Sequence, residues 1–541
     1  MMRLLLTMLL AFCAGMMQGK NDVEMITINV DTPLNAQRKV TAHMKAGNYD
    51  GLIGIKLRGN SSLSFNQKKY TIELRDNDGK EVDAPLMGMP AHSDWVLLAP
   101  YNDVSAVRDP LAFQLWRDMG HWGPRTRMVE LTLNGEYRGI YILSEAIKRG
   151  DQRVKLDKLK KSDTQGRNVT GGYLLRIDTF NEDDATFTSK VPGIGDGIMT
   201  SQITWSCIYP KKKNLQPEQM AYIQSFVDTV EQVIQSDYFA DPKRGYARYI
   251  DVPSFVDYFI HTELSLNADG YKRSAYFYKE KMHADGTGGK LVAGPVWDYN
   301  LAYGNCNFCN ANNIEAWCFE GGNTNPTPAF WQRLLQDPAF RKAVKVRYQA
   351  LRKTVLSNKA INAYIDHHAK LLAPCIDHHF ETYPELFGTD TPTTPGGFTG
   401  FGGFPQMGQM PQMPQMGEMP QMGETPQMGQ MPQMGQFPPM GQFPMGQFPP
   451  MGEMPQMGEM PGFGGGNMIS WFAAYRVQSY DEEIKVLKQW LADRLSFLDR
   501  QIARFDKDWQ PRIQELKEIK APQFGGFGGF GGFGGFGGFG F

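Results

Sequence analysis

An abrupt change of composition near residue 388 limits how much of this 541-residue chain can fold. Residues 388–466 are dominated by Pro, Gln, Met, Gly and Phe, with repeats of Pro-Gln-Met-Gly. Frequent Pro and Gly disfavour helices and strands, and few branched aliphatic side chains are available to form a core. We therefore predict a disordered insert over residues 388–466. The Phe-Gly-rich residues 521–541 form a second segment of this kind.

Helical periodicity returns after the insert. The apolar residues with core-facing helical spacing are Ile484, Leu487, Leu491, Leu495 and Leu498. We therefore interpret residues 388–466 as an insertion within one folded domain. That domain comprises residues 20–387 and a C-terminal helical part at 467–520.

The N-terminus has the features of an export signal over residues 1–19. Arg3 precedes an apolar run at 4–14, which is too short to cross a bilayer and is typical of a signal peptide. We expect a secreted or extracytoplasmic protein with no transmembrane helix in the mature chain. Two alternatives stay open: a lipoprotein anchored through Cys13, although Phe12 fits poorly before that cysteine, and a buried N-terminal helix.

Charge and hydrophobicity exclude some classes of protein. Hydrophobic residues make up 41% of the sequence, which suffices for a sizeable core, and the formal net charge is −1. A chain this close to neutral gives no reason to expect nucleic acid as a partner, since nucleic-acid binding depends on clustered positive charge.

Five cysteines remain once the leader is set aside. For an exported chain the default expectation is disulfide bonding. Cys306-x-x-Cys309 together with Cys318 also suggests a zinc site, but no fourth ligand lies near them in the sequence.

The distribution of predicted elements indicates an α+β fold. Strand-like runs separated by turns dominate the first part, and helices such as 217–236 and 252–266 dominate later. The clearest local prediction is a hairpin over 128–143, because Asn134-Gly135 between two β-prone runs favours a type I′ turn.

Two aspartates occupy positions at which catalytic residues are often found. Asp269 follows a predicted helix, and Asp298 directly follows the second strand of a predicted pair. Protein kinases use this order for the aspartate that orients the nucleophile and the aspartate that binds metal. The alternative is that both residues cap turns.

A candidate phosphate-binding loop precedes them. Arg58-Gly59-Asn60-Ser61-Ser62 follows one predicted strand, and Lys68-Lys69 begins the next. Small residues let backbone N–H groups approach phosphates, and a lysine on the adjoining strand can pair with them. The alternative is a surface hairpin with solvated lysines.

Several motifs in a fixed order are more specific than any one of them. They are LRGNSS at 57–62, KKY at 68–70, WVLLAPYND at 95–103 with Arg108, LNGEYRGIY at 133–141, GGY at 171–173, NADGY at 267–271 and GPVWDYN at 294–300. Together they resemble the CotH kinase family. The resemblance implies an atypical protein-kinase-like fold, with ATP and Mg²⁺ or Mn²⁺ bound between a strand-rich N-lobe and a helical C-lobe.

The resemblance also implies roles for individual residues. Asp269 would be the catalytic-loop aspartate and Asp298 a metal ligand. Lys69 would contact phosphates, with Glu145 as its partner. The equivalent of the glycine-rich loop, which contacts the nucleotide, would comprise Arg58, Asn60, Ser61 and Ser62.

The sequence departs from the usual kinase pattern in the catalytic segment. No His-Arg-Asp precedes Asp269, and Ser274 stands where kinases place a metal-binding Asn. We suggest Asn300 or Asn267 as the missing oxygen ligand, with Asn300 preferred. Two hypotheses follow. One is a kinase that phosphorylates an unidentified secreted or surface protein. The other is a weakly active or inactive scaffold that binds surfaces, or itself, through the Met- and Phe-Gly-rich segments.

Overall fold

A computed structural model describes residues 23–179, 184–195, 202–321, 326–387, 474–475 and 477–512. The predicted leader at 1–19, the insert at 388–466 and the tail at 521–541 lie outside these residues. The described residues contain both strands and helices, which confirms the α+β class.

The N-terminal strands close into a barrel in the order β1-β2-β3-β4-β7-β9-β8. Its strands are Glu24–Asn29 (β1), Val40–Ala46 (β2), Tyr49–Arg58 (β3), Lys69–Leu74 (β4), Asp94–Leu98 (β7), Thr126–Leu133 (β8) and Glu136–Glu145 (β9). A small hairpin, Ala84–Leu86 (β5) with Met89–His92 (β6), separates β4 from β7. Parallel pairing of β1 with β8 closes the barrel.

The predicted hairpin at 128–143 is confirmed as β8 and β9. Asn134 and Gly135 both have positive φ, 52° and 81°, as a type I′ turn requires. Along each barrel strand, side chains alternate between the core and the outer surface, because successive residues of a strand point to opposite faces. Ile26, Ile72 and Leu143 are among the fully buried residues inside.

A second sheet has the order β11-β12-β10-β13-β14. Its strands are Tyr173–Ile177 (β10), Ala185–Thr188 (β11), Thr204–Tyr209 (β12), Ala275–Lys279 (β13) and Leu291–Ala293 (β14). The pairing of β13 with β14 confirms the predicted strand pair before Asp298, although β14 is shorter than expected. The part of the molecule after the barrel therefore combines helices with a sheet.

The helices are Arg108–Asp118 (α1), Pro217–Gln235 (α2), Val252–Ser265 (α3), Phe330–Leu334 (α4), Pro338–Arg352 (α5), Asn358–Leu372 (α6), Ile376–Thr382 (α7) and Tyr480–Ile502 (α8). Helix α3 ends just before the Asp269 loop, and the Asp251 carboxylate caps its start by accepting a hydrogen bond from the Ser254 N–H at 3.0 Å. Within the described ranges, no helix has the length and apolarity needed to cross a membrane.

Helix α8 packs into the same core as the elements before residue 388. Leu487, Leu491 and Leu495 are buried in one continuous cluster with α1, α3 and the second sheet. The buried Arg108 guanidinium of α1 lies 2.6 Å from the Glu483 carboxylate of α8. The chain therefore returns after residues 388–473 to the core that its earlier part has built.

Candidate functional site

The strand β4 brings Lys69 to Asp298. Its Nζ lies 3.8 Å from Asp298 Oδ1; the lysine side chain is 9% exposed and the aspartate side chain 35% exposed. Arg58 is the cross-strand partner of Lys69, and its guanidinium lies 5.2 Å above the Trp297 ring. Both ends of the β3–β4 loop therefore contact the segment that carries Asp298.

The β3–β4 loop contains the predicted phosphate-binding residues. It folds into a 3₁₀ turn at Ser61–Ser64 in which the Leu63 N–H donates to the Asn60 carbonyl at 3.1 Å. Asn60 is exposed and Ser62 is buried. Gly59 has φ +126°, and a Cβ there would lie 2.0 Å from Ser62 Oγ, so this conformation requires glycine.

One amide side chain connects the two candidate aspartates. Asn267 Nδ2 donates to the Asp298 carbonyl at 3.1 Å, and Asn267 Oδ1 accepts from the Asp269 N–H at 3.2 Å. The sequence suggests Asn267 as an alternative metal ligand, but in the structure both ends of its amide hold the backbone. Asn267 therefore fixes the position of one aspartate segment relative to the other.

Two further aspartates that the sequence interpretation missed belong to the site. Asp109, in the first turn of α1, accepts a hydrogen bond from the Tyr299 N–H at 2.5 Å. Asp178, just after β10, accepts one from Ser274 Oγ at 3.3 Å. Tyr299 lies within the motif at 294–300, and Ser274 lies three residues after the motif at 267–271. Their positions in the sequence gave only a weak signal, an acidic residue at the start of a helix or the end of a strand.

Burial and neighbouring negative charge raise the pKa of three carboxyl groups of the site. Burial raises the pKa of Asp269 to about 6, Asp298 and Asp178 add to the rise, and Arg273 opposes it. Burial, followed by the charge of Asp298, raises the pKa of Asp109 to about 7, while Lys69 lowers it. Burial also raises the pKa of Asp178, and Asp298 adds a smaller contribution. Perturbed carboxylates of this kind concentrate at functional sites.

Asp298 combines an accessible carboxylate with an unusual backbone conformation. Its side chain is partly exposed, and its backbone is left-handed at φ +64°, a conformation that is uncommon outside glycine and recurs at functional sites. Across the described ranges, however, no group of three or more His, Cys, Asp or Glu residues is arranged to hold a metal. A single carboxylate such as that of Asp298 suits Mg²⁺, because this ion often binds through one or two carboxylates together with phosphates of the substrate.

Asn300, the second predicted metal ligand, lies in the same segment as Asp298. The residue is buried, and its carbonyl accepts a hydrogen bond from Asn305 Nδ2 at 2.7 Å. This contact holds the backbone after Asp298. The role of the Asn300 side chain in metal binding stays a prediction.

The predicted pairing of Lys69 with Glu145 is wrong. Glu145 is fully buried at the end of β9, and both of its carboxylate oxygens lie 2.9 Å from the Arg125 guanidinium. Arg153 lies 3.4 Å from the same carboxylate. Two guanidinium groups thus satisfy Glu145, and the acidic partner of Lys69 is Asp298.

The expectation of disulfides is also wrong for the described residues, since none of the five cysteines there forms a disulfide bond. Cys318 Sγ instead donates to the Asn267 carbonyl at 3.5 Å and to the Gly270 carbonyl at 3.7 Å, so it supports the Asp269 loop. Cys306 and Cys309 pack with Ala268 in a small apolar cluster beside the same loop. The alternative of a zinc site gains no support, since no metal-binding group includes these thiols within the described ranges.

Known proteins that resemble this chain include a family, a related protein and a solved structure. The CotH kinase protein family model matches residues 55–396, more than half of the chain. Inner spore coat protein H of Bacillus subtilis (strain 168) is 22% identical over 322 residues, which cover 59% of this chain and 75% of that protein. A structural match to the crystal structure of the Helicobacter pylori proinflammatory kinase CtkA covers 57% of this chain and 90% of the CtkA chain, with 11% sequence identity. Its TM-score of 0.23 is too low to support a conclusion about the fold. On the family match, the chain belongs to the CotH kinase family.

Proposed function

We propose that this protein is an ATP-dependent protein kinase that transfers the γ-phosphate of ATP to a hydroxyl group of a protein, with Mg²⁺ or Mn²⁺. The observation that carries the proposal is the convergence of Lys69, Asp298 and Asp269, which lie far apart in sequence. Lys69 meets Asp298 directly, and Asn267 links Asp298 to Asp269. Phosphoryl transfer needs this combination of a cation, a metal-binding carboxylate and a second carboxylate.

Each group has a distinct task in the proposed reaction. Lys69 binds phosphate oxygens of ATP, with the loop residues Asn60, Ser61 and Ser62 beside them. Asp298 holds the metal, which neutralises charge on the phosphates when bound. Asp269 accepts the proton of the acceptor hydroxyl. The oxygen of that hydroxyl bonds to the γ-phosphorus of ATP, and the bond between this phosphorus and the oxygen that bridges it to the β-phosphorus breaks. ADP leaves with the electron pair of that bond.

The proposed setting is outside the cytoplasm. It rests on the export features of residues 1–19, with a lipid anchor at Cys13 as the alternative attachment. Export followed by signal cleavage would remove the first residues of the chain. N-terminal sequencing or mass spectrometry of the protein recovered from the producing cell tests this part, since an intact Met1 would contradict it.

A second candidate function is a scaffold with little or no catalytic activity. It is favoured by Ser274, which replaces the usual metal-binding Asn and whose hydroxyl donates to Asp178. As a scaffold, the protein would bind other surfaces, or further copies of itself, through the Met-rich insert and the Phe-Gly-rich tail. Deletion of residues 388–466 that leaves retention and assembly unchanged would contradict this role for the insert.

Transfer of labelled γ-phosphate separates the two candidates. The full chain is incubated with labelled ATP and Mg²⁺, then Mn²⁺, alone and with a mixture of secreted proteins. The kinase proposal predicts labelling that Asp269→Asn and Asp298→Asn abolish and that the matched surface variant Asp78→Asn retains. A folded, nucleotide-bound wild-type protein that labels nothing would overturn the kinase and favour the scaffold.

A further inference from the structure

A cavity at one end of the barrel is separate from the kinase site. Its volume is about 440 Å³, within the range of small-molecule sites. The walls come from the β1–β2 loop, the β3–β4 hairpin, the β8–β9 turn and the segment after α7. None of the residues Lys69, Asp269 and Asp298 lines it.

The charges that line this barrel cavity favour an anion. Lys68 and Arg138 are the cations of the lining, and Asp31 is its acidic residue. Burial lowers the pKa of Lys68, whose Nζ donates to the Leu63 carbonyl at 2.7 Å. An ammonium that donates one of its three hydrogens to a carbonyl keeps the other two for a ligand.

Arg138 provides a second, independent observation. Its Nη2 pairs with the Glu136 carboxylate, and its side chain is 40% exposed, so part of the guanidinium is accessible to a ligand. An oxyanion is the ligand that a guanidinium N–H prefers.

The remaining walls suit a flat apolar group. Pro33 is exposed, Leu34 and Leu57 are half-buried, and together they contribute apolar surface to the lining, whereas Tyr70, Tyr141 and Tyr383 are largely buried beside it. The Tyr141 hydroxyl donates to the Lys68 carbonyl at 2.9 Å, and the Tyr383 hydroxyl donates to the Arg138 carbonyl at 2.9 Å. These bonds tie two of the rings to the backbone of the two cationic residues.

The start of β4 brings two cationic side chains close together, because Lys68 immediately precedes the strand and Lys69 is its first residue. Successive residues of a strand point to opposite faces. Lys69 points toward Asp298, whereas Lys68 and Tyr70 line the barrel cavity. Two lysines that are adjacent in sequence thus face two different sites.

We propose that the barrel cavity binds a small organic anion, an aromatic or similarly flat apolar molecule that carries one carboxylate or phosphate group. Lys68 and Arg138 contact the anionic group, and the accessible apolar side chains of the lining pack on the body of the molecule. This site does not depend on phosphoryl transfer, so it stands or falls separately from the proposed kinase activity.

Isothermal titration of the full chain with benzoate, phenyl phosphate, inorganic phosphate and benzyl alcohol tests the proposal. We expect saturable binding of benzoate or phenyl phosphate, and the stronger of the two identifies the anionic group. Inorganic phosphate lacks the apolar body and benzyl alcohol lacks the charge, so both should bind more weakly. No saturable binding of either organic anion at millimolar concentration would overturn the proposal.

Variants then locate the binding. Lys68→Met and Arg138→Met should each weaken it about tenfold, as expected for one charge-assisted hydrogen bond. Asp31→Asn should strengthen it because a repulsive charge is removed. Lys69→Met changes the adjacent lysine, which lies near Asp298 and does not line the cavity, and should have no effect on this binding. Binding that depends on Lys69 and not on Lys68 or Arg138 would place the anion in the kinase site and contradict the proposal.

Discussion

Lys69 Nζ and Asp298 Oδ1 lie 3.8 Å apart, close enough to attract each other and too far apart for a hydrogen bond. The lysine comes from the barrel and the aspartate from the end of the second sheet. The aspartate side chain is 35% exposed, so part of its carboxylate faces solvent. We infer that the lysine ammonium and the aspartate carboxylate both face one ligand. A hydrogen-bonded ion pair would leave fewer of their polar atoms available to bind it.

The β3–β4 loop should not tolerate a side chain at residue 59. In Gly59→Ala the new Cβ would meet Ser62 Oγ at 2.0 Å and force the loop out of its shape. We expect ATP affinity to fall at least about tenfold, and some loss of thermal stability in this variant and in its control, because a positive φ strains a residue that carries a Cβ. Gly79→Ala is the control, as Gly79 also has positive φ but a Cβ added there would meet nothing within 4 Å. Equal ATP affinity for the two variants would refute this role.

Asn267→Ala should separate the two aspartate segments without unfolding the protein. The variant loses the hydrogen bonds to the Asp298 carbonyl and the Asp269 N–H. Misplacement of a catalytic group by about 1 Å costs on the order of 100-fold in rate, so we expect kcat to fall by about that factor. ATP affinity should change less. A variant with normal kcat, measured by phosphate transfer, would show that the bridge is dispensable.

The rate of phosphate transfer should depend on pH through Asp269. The ionised carboxylate is the form that accepts a proton, and its pKa is raised to about 6. The value of kcat/KM, which reports the free enzyme, should therefore rise as pH increases through about 6 and level off above it. A rate that falls over this interval, or one that stays flat from acid to neutral pH, would argue against Asp269 as the base.

Arg108 should be essential for stability. Its side chain is fully buried and bonds Asp103 at 2.5 Å, Glu483 at 2.6 Å and the Tyr475 hydroxyl at 2.7 Å. Arg108→Met leaves two buried carboxylates without their cation, which costs about 3–5 kcal/mol. Urea unfolding measures the loss.

A surface ion pair supplies the control for Arg108. Arg504 pairs with Asp508 at 3.0 Å, but both side chains are more than half exposed. Arg504→Met should therefore leave the unfolding midpoint unchanged. If Arg108→Met were equally harmless, α8 would not depend on this contact for its packing.

The sequence is most informative where structure is local. The positive φ of Asn134 and Gly135 follows from the turn chemistry of that dipeptide. The order of helix, loop and strands correctly locates Asp269 and Asp298 next to regular elements. The barrel strand β2, with the alternating sequence VTAHMKA, is absent from the predicted elements although its period is visible.

Contacts between distant segments cannot be predicted in this way. Asp109 enters the site because α1 packs beside the segment after β14, and no local pattern signals that approach. The resemblance pairs Glu145 with Lys69, yet the packing of Arg125 and Arg153 determines its partner. The bridging role of Asn267 depends on where Asp298, 31 residues later, returns, which only the folded chain reveals.

The most direct test of the account is Mn²⁺-dependent ATP binding by Asp298→Asn and Asp269→Asn, measured by calorimetry beside the wild-type chain. If Asp298 holds the metal and Asp269 accepts the hydroxyl proton, the Asp298 variant loses metal-dependent binding. The Asp269 variant keeps that binding but transfers no phosphate. Metal-dependent ATP binding that is unchanged in Asp298→Asn would contradict the assignment of this site.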